Sequence, residues 1–138
     1  MPTEKVLVVD DDPSIRDTIR MILQRAGYEV LTAANGQEAT AIMQQSDHSK
    51  TVKTLLCDLD MPAMDGTALI AHFHSQYPLI PITVMSGADA FAFTEAVLKR
   101  GVTDWIRKPA SREAVLEKVR VAVRLHKLRE NDARPPQT

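Results

Sequence analysis

An α/β fold, a doubly wound parallel sheet with helices on both faces, is predicted by three features of this sequence. Short apolar runs rich in β-branched residues alternate with amphipathic helical stretches along the chain. The runs are apolar at every position, as in Val6-Leu7-Val8-Val9, which suits a parallel strand covered on both faces. Helix-starting and helix-stopping residues fall between them. The pattern gives five β/α units with right-handed crossovers.

Each element has its own local signal. The first strand, Val6-Leu7-Val8-Val9, runs into Asp10-Asp11-Asp12. Asp12 serves as cap and Pro13 as first residue of a helix carrying Ile15, Ile19, Ile22 and Leu23, which stops at Gly27. Tyr28 to Ala33 is the second strand. Asn35 with Glu38 is a capping-box-like start, and that helix continues through Ala39, Ile42 and Met43. Ser46 to Lys53 is polar and reads as loop. Thr54-Leu55-Leu56-Cys57 is the third strand; a loop from Asp58 to Gly66 leads to a third helix ending at about Tyr77. Pro81 to Met85 is the fourth strand. A fourth helix is expected from about Asp89 to just before Gly101, then a fifth strand over Thr103 to Ile106, then a fifth helix from about Ser111 to Glu130. The domain is drawn as residues 1–130, with 131–138, polar and holding two prolines, as a flexible C-terminal tail.

Composition removes several function classes. The 138 residues suit one domain. Lysine and arginine number 17 against 18 acids, a formal net charge of −1, which argues against direct nucleic-acid binding through bulk charge. The hydrophobic share of 44% argues against a disordered acidic chain. Cys57 is the sole cysteine, so an intrachain disulfide and a cysteine-based zinc site are excluded. No apolar run approaches the roughly 20 residues of a membrane span, and no membrane partner is expected. Met1 to Lys5 leads straight into the first strand with no signal-peptide pattern. The expectation is a soluble domain of a reducing compartment.

Sheets of this kind bind ligands at the carboxyl ends of their strands. There the sequence places Asp10, Asp11 and Asp12 after the first strand, Asp58 and Asp60 after the third, Ser86 after the fourth and Lys108 after the fifth. Helix capping and turn formation explain Asp12, and also Asp65 before Gly66. They do not explain why Asp10, Asp11 and Asp58 converge on one rim. Two carboxylates ~4 Å apart repel by about 4 kcal/mol at an effective dielectric of 20. A hard divalent cation, Mg2+ or Mn2+, prefers such oxygens, and Lys108 offers a second positive charge.

The ordered set is more specific than any member. Val6-Leu7-Val8-Val9-Asp10-Asp11, Asp58-x-x-Met61-Pro62-x-Met64-Asp65-Gly66, Met85-Ser86-Gly87 and Lys108-Pro109 follow predicted strands in that order. Together they resemble the receiver domain of two-component response regulators, from about Lys5 to about Leu128. The resemblance implies a five-stranded sheet of order 2-1-3-4-5, as in flavodoxin- and CheY-like folds. It implies that Asp58 is the phosphoacceptor, attacking the phosphohistidine of a sensor histidine kinase or histidine phosphotransfer protein, or a small donor such as acetyl phosphate. Asp11 and Asp58 would ligate Mg2+ together with the backbone carbonyl of Asp60, with Asp10 acting directly or through a water. Lys108 and the Ser86 hydroxyl would contact the phosphoryl group, and the Asp60 side chain would influence acyl-phosphate hydrolysis. Lys108-Pro109 would hold a cis peptide, Met61-Pro62 and Gly66 would shape the loop beside Asp58, and the home would be cytoplasmic.

Other residues carry two readings each. Trp105 stands where the family has a switching aromatic, usually Tyr or Phe; otherwise it is half-buried packing. Cys57 is a small core residue before it is a redox sensor. His72 and His74, two apart on a helix, do not share a face and read as solvated, and His126 reads as surface. On the fifth helix, Val115, Val119 and Ala122 form a stripe for the sheet. Val121, Leu125 and Leu128 form a second stripe, either aliphatic surface or a seam for a downstream effector, an output domain or a second copy in a homodimer. Phe91 and Phe93, at the start of the fourth helix, add to a partner surface formed by helix four, strand five and helix five.

Two other functions share some of these residues. Asp58-Leu59-Asp60 is an Asp-x-Asp after a strand, as in haloacid dehalogenase-like phosphatases, but here the further acidic pair, Asp10-Asp11, lies upstream. A pseudo-receiver, acting purely as an interaction domain, usually lacks one of the acid, Ser/Thr or Lys positions, and all are present here. A flavodoxin-like cofactor binder is disfavoured because aspartates at the strand ends repel a flavin phosphate.

Overall fold

The computed structural model describes residues 4–45, 48–60, 66–87 and 101–133, with residues 66 and 67 described by their backbone alone. Strands β1 (Lys5–Val9), β2 (Glu29–Ala33), β3 (Val52–Asp58), β4 (Ile82–Ser86) and β5 (Asp104–Arg107) form one all-parallel sheet in the order β2-β1-β3-β4-β5. The helices are α1 (Pro13–Arg25), α2 (Gly36–Gln44), α3 (His48–Thr51), α4 (Gly66–Gln76) and α5 (Arg112–Ala133). The fold class and strand order are those expected. The helix expected between Asp89 and Gly101 lies outside the described residues, as do Phe91, Phe93 and the Met61-Pro62 turn.

The sheet is buried on both faces, which is why its strands are apolar at successive positions. Side chains alternate along each strand. Val6, Val8, Leu56, Met85 and Ile106 pack with Ile19 and Leu23 of α1 and Val115, Val119 and Val123 of α5. Leu7, Val9, Leu55, Cys57 and Val84 pack on the other face with Ala39 and Met43 of α2 and Leu69, Ile70 and Phe73 of α4.

The caps follow from the sequence. Asp12 accepts the amides of Ser14 at 2.9 Å and Ile15 at 3.4 Å, with Pro13 at the first helical position. Asn35 accepts the Glu38 amide at 2.9 Å, and the Glu38 carboxylate accepts that of Ala34 at 2.7 Å, one residue earlier than a standard capping box. Gly27, past the end of α1, has φ +100°, a left-handed conformation that favours glycine.

Several boundaries differ from expectation. The stretch Ser46 to Lys53 is not wholly loop, because His48–Thr51 makes one helical turn and β3 begins at Val52. Val52 is buried and pairs with Lys5, with the β1–β3 register shifting just after it. Tyr28 precedes β2 because its amide closes the end of α1 on Leu23 at 3.1 Å. Helix α5 continues to Ala133, so the first three residues assigned to a tail are helical. His126 is not a surface residue: it is 5% exposed, and its Nδ1 lies 3.3 Å from Glu130 Oε1. His72 is half-buried, its ring edge-on to Phe73 and Tyr77, whereas His74 is exposed.

Candidate functional site

The parallel register delivers the candidate residues to one rim. Val9 pairs with Cys57, Asp58 with Met85, and Ser86 with Arg107, so Asp10, Asp58, Ser86 and Lys108 follow as neighbours. The ladder continues past the strand ends: Leu59 N–H donates to the Met85 carbonyl at 2.9 Å, and Lys108 N–H to that of Ser86 at 3.0 Å. Alternation puts Asp10, Asp58 and Lys108 in phase with Val8, Leu56 and Ile106, the α1/α5 face.

Asp58 is 2% exposed. Its Oδ1 accepts the Asp60 amide at 2.9 Å and stands 2.8 Å from Lys108 Nζ. Asp10, Asp11 and Asp58 each present a carboxylate oxygen, all within 4.8 Å of one another. Asp10 is fully buried, and its Oδ1 accepts the Asp12 amide at 2.9 Å, but its Oδ2 is buried with no hydrogen-bond partner among the described residues. Burial pushes the Asp10 carboxyl up to about 6; the nearby Asp58 charge adds to this, and the Asp12 amide and Lys108 work against it. Three clustered carboxylates and an orphaned buried oxygen fit a hard divalent cation. Asp11 is the exposed member, open to solvent.

Lys108 bridges to the next acid, with Nζ 3.6 Å from Asp60 Oδ2. Burial alone would lower the Lys108 pKa, but Asp58, Asp60 and Asp10 overcome it and raise it, so the ammonium is held charged. The Asp60 carboxylate accepts the Ser86 hydroxyl at 3.1 Å on Oδ1 and the Gly87 amide at 2.8 Å on Oδ2. Its partial burial disfavours the charge, yet the Gly87, Ser86 and Lys108 donors outweigh that and hold it below the usual carboxylate range. Lys108-Pro109 is a cis peptide, as the resemblance implies.

The structure thus gathers Asp10, Asp11, Asp58, Asp60, Ser86 and Lys108. Trp105 is partly buried on the Cys57 and Val84 face of the sheet, and its Nε1 is buried without a hydrogen-bond partner among the described residues. Val121 and Leu128 are 49% and 56% exposed, and Leu125 is half-buried, on a helix whose other face packs on the sheet. Cys57 points into the opposite face from Asp58; burial, then the charges of Asp58 and Asp10, push its thiol up to about 12.

Two contacts were not read from the sequence. Arg16 Nη1 donates to the Asp10 carbonyl at 2.8 Å, bringing a cation from the first turns of α1 against the acidic rim. The Asp60 side chain engages Ser86 and Gly87. Position offered the only signal, one helical turn past the Asp12 cap for Arg16 and a strand end for Asp60. Beside Lys108, a groove of about 470 Å³ runs between α1 and the Pro109-Ala110 segment, lined by Ile15, Ile19, Ile22 and Met85.

Comparison with known proteins bears on this geometry. The family model described as "Response regulator receiver domain" matches residues 6–120. The response regulator MprA of Mycobacterium ulcerans is 32% identical over 129 residues, which is 94% of this chain and 54% of that protein. The CAI-1 autoinducer sensor kinase/phosphatase CqsS of Vibrio cholerae is 36% identical over 118 residues, covering 83% of this chain and 17% of that protein. The chain therefore spans about half or less of the length of these curated relatives. Among solved structures, the chemotaxis protein CheY4 of Vibrio cholerae superposes with a TM-score of 0.79 at 34% identity, covering 87% of this chain and 98% of that one.

Proposed function

The chain belongs to the response regulator receiver domain family, and on that premise we propose that it is a phosphorylation-dependent switch of a two-component system with Asp58 as acceptor. The observation that carries this reading is the pairing of a buried Asp58 with Lys108 at 2.8 Å beside the Asp10-Asp11 pair.

Phosphoryl transfer needs positioning and charge compensation more than bond-making groups. An Asp58 oxygen attacks the phosphorus; the new P–O bond forms as the bond to the donor's histidine nitrogen breaks, and the imidazole keeps that electron pair. Asp58 needs no general base, because a carboxylate is already a nucleophile. Asp11, Asp58 and the Asp60 backbone carbonyl are the groups that would hold Mg2+ or Mn2+, with Asp10 behind them. The ion, when bound, supplies neutralisation of charge on the phosphoryl oxygens. Lys108 meets the same charge from the β5 side, and the Ser86 hydroxyl donates to the product.

The donor is a sensor histidine kinase or a histidine phosphotransfer protein, and the apolar groove beside Lys108 offers such a partner a surface next to Asp58. Output then passes through β5 and α5, with Trp105 as the switching aromatic and Val121, Leu125 and Leu128 as contacts for an effector, an output domain or a second copy; the fourth-helix part of that surface lies outside the described residues. Among the described residues no helix is long and apolar enough to cross a membrane. A cytoplasmic home belongs to the proposal and rests on likeness to the family.

The test is intact mass after incubation with acetyl phosphate. One added phosphoryl group that requires Mg2+ and is absent from Asp58→Asn supports the reading. No gain, and no binding of beryllofluoride by the folded protein, favours a pseudo-receiver.

A further inference from the structure

The Asp60 side chain has a role beyond its backbone carbonyl. Three donors surround its carboxylate: the Ser86 hydroxyl at 3.1 Å, the Gly87 amide at 2.8 Å and the Lys108 ammonium at 3.6 Å. Lys108 simultaneously contacts Asp58 at 2.8 Å. A phosphoryl group built on Asp58 needs these same donors, since it grows from the carboxylate that Lys108 already touches and carries its charge on outward-facing oxygens. Asp60 presents two anionic oxygens to them before any phosphoryl group arrives.

We propose that Asp60 is a built-in stand-in for the phosphoryl group, an autoinhibitory contact that occupies its donors in the unphosphorylated protein and must be displaced for the switch to turn. This rests on Asp58 being the acceptor. Displacement is feasible because the Asp60 side chain is 38% exposed and can rotate into solvent. The contact also opposes the incoming phosphoryl dianion by like charge. Removing the carboxylate frees the Ser86 hydroxyl and the Gly87 amide together. The backbone groups of Asp60 are unaffected by a side-chain change: its amide still donates to Asp58, and its carbonyl remains where a cation would find it.

The experiment is equilibrium binding of beryllofluoride, a phosphoryl mimic, to the intact chain in saturating Mg2+, read from Trp105, the sole tryptophan. Wild type, Asp60→Ala and Asp60→Asn are compared. Asp60→Ala should bind about tenfold more tightly or better, because charge-assisted donors are returned to the ligand. Asp60→Asn keeps the shape and an acceptor but loses the charge, and should fall between the two. In the metal-free protein the Gly87 amide proton should move upfield in Asp60→Ala, as it loses a carboxylate partner, a change that general loosening of the fold would not confine to one amide. Wild-type binding with an unchanged affinity in Asp60→Ala overturns the autoinhibitory contact and leaves Asp58 as acceptor. Absence of binding by wild type overturns both.

Discussion

The Lys108 ammonium stands 2.8 Å from Oδ1 of Asp58, a contact made across two strand ends separated by fifty residues of chain. Its partial burial works against the charge, and the carboxylates of Asp58, Asp60 and Asp10 outweigh that and hold the lysine charged. Lys108→Met should therefore slow acetyl phosphate labelling about a hundredfold, the scale of losing one electrostatic contact to a developing charge. The same variant should bind Mg2+ more tightly, because a competing cation has gone. Calorimetric titration with Mg2+ beside a labelling time course checks both, and a variant labelled at the wild-type rate would remove Lys108 from the chemistry.

Asp10 carries a pH-dependent cost. Its carboxyl is pushed up to about 6, from an ordinary value of 3.8. The folded chain thus holds a proton that the unfolded chain releases between those values, so ionising Asp10 destabilises the fold as pH rises from about 4 through 6. Asp10→Asn should stabilise the metal-free protein by about 3 kcal/mol at pH 7.5 and by little at pH 4. Urea unfolding at the two pH values measures this. Saturating Mg2+ should shrink the gain at pH 7.5.

His126 has the opposite sign. It is buried beside Glu130, which also lies 3.9 Å from Lys53 Nζ. Burial first, then the Lys53 charge, lower its pKa below 6.5, and Glu130 only partly offsets them. The unfolded chain takes up the proton first, so His126 contributes stability that is present above about 6.5 and lost as pH falls through that value. A ring-proton NMR titration should give a midpoint below 6.5, and His126→Gln should flatten the loss of stability between pH 7 and pH 5.5.

Cys57 is inert. Its thiol is pushed up to about 12 and lies on the side of the sheet away from Asp58. Native protein should resist a thiol-specific reagent that reacts at once in denaturant. Cys57→Ala should cost about 1–2 kcal/mol through packing and leave Asp58 labelling intact. Rapid modification of the native thiol would revive the redox reading.

The sheet and the rim were legible because both are written in short-range patterns. Four-residue apolar runs mark buried parallel strands, and the acids, Ser86 and Lys108 sit immediately after them. What failed did so for particular reasons. Val52 was hidden by the polar residues flanking it, and only pairing with Lys5 draws it into β3. His126 follows Ala122 by four residues and Val119 by seven, so its burial was available from helical spacing; its residue type and charged neighbours argued the other way. The Asp60 contact needs Ser86 and Gly87, at the end of a strand some two dozen residues later, and no local rule reports such a meeting. Trp105 lies on the expected strand, and its buried indole N–H follows from tertiary packing on the Cys57 and Val84 face of the sheet, which no single-strand pattern encodes.

The most direct measurement is the chemical position of the phosphoryl group. The chain is treated with acetyl phosphate and Mg2+, reduced with borohydride, which turns an aspartyl phosphate into homoserine, and digested for peptide sequencing by mass. Conversion at position 58 alone, and only when Mg2+ is present, is the predicted result. Phosphate recovered on Ser86, or no conversion at Asp58 in a chain that remains folded, would contradict it.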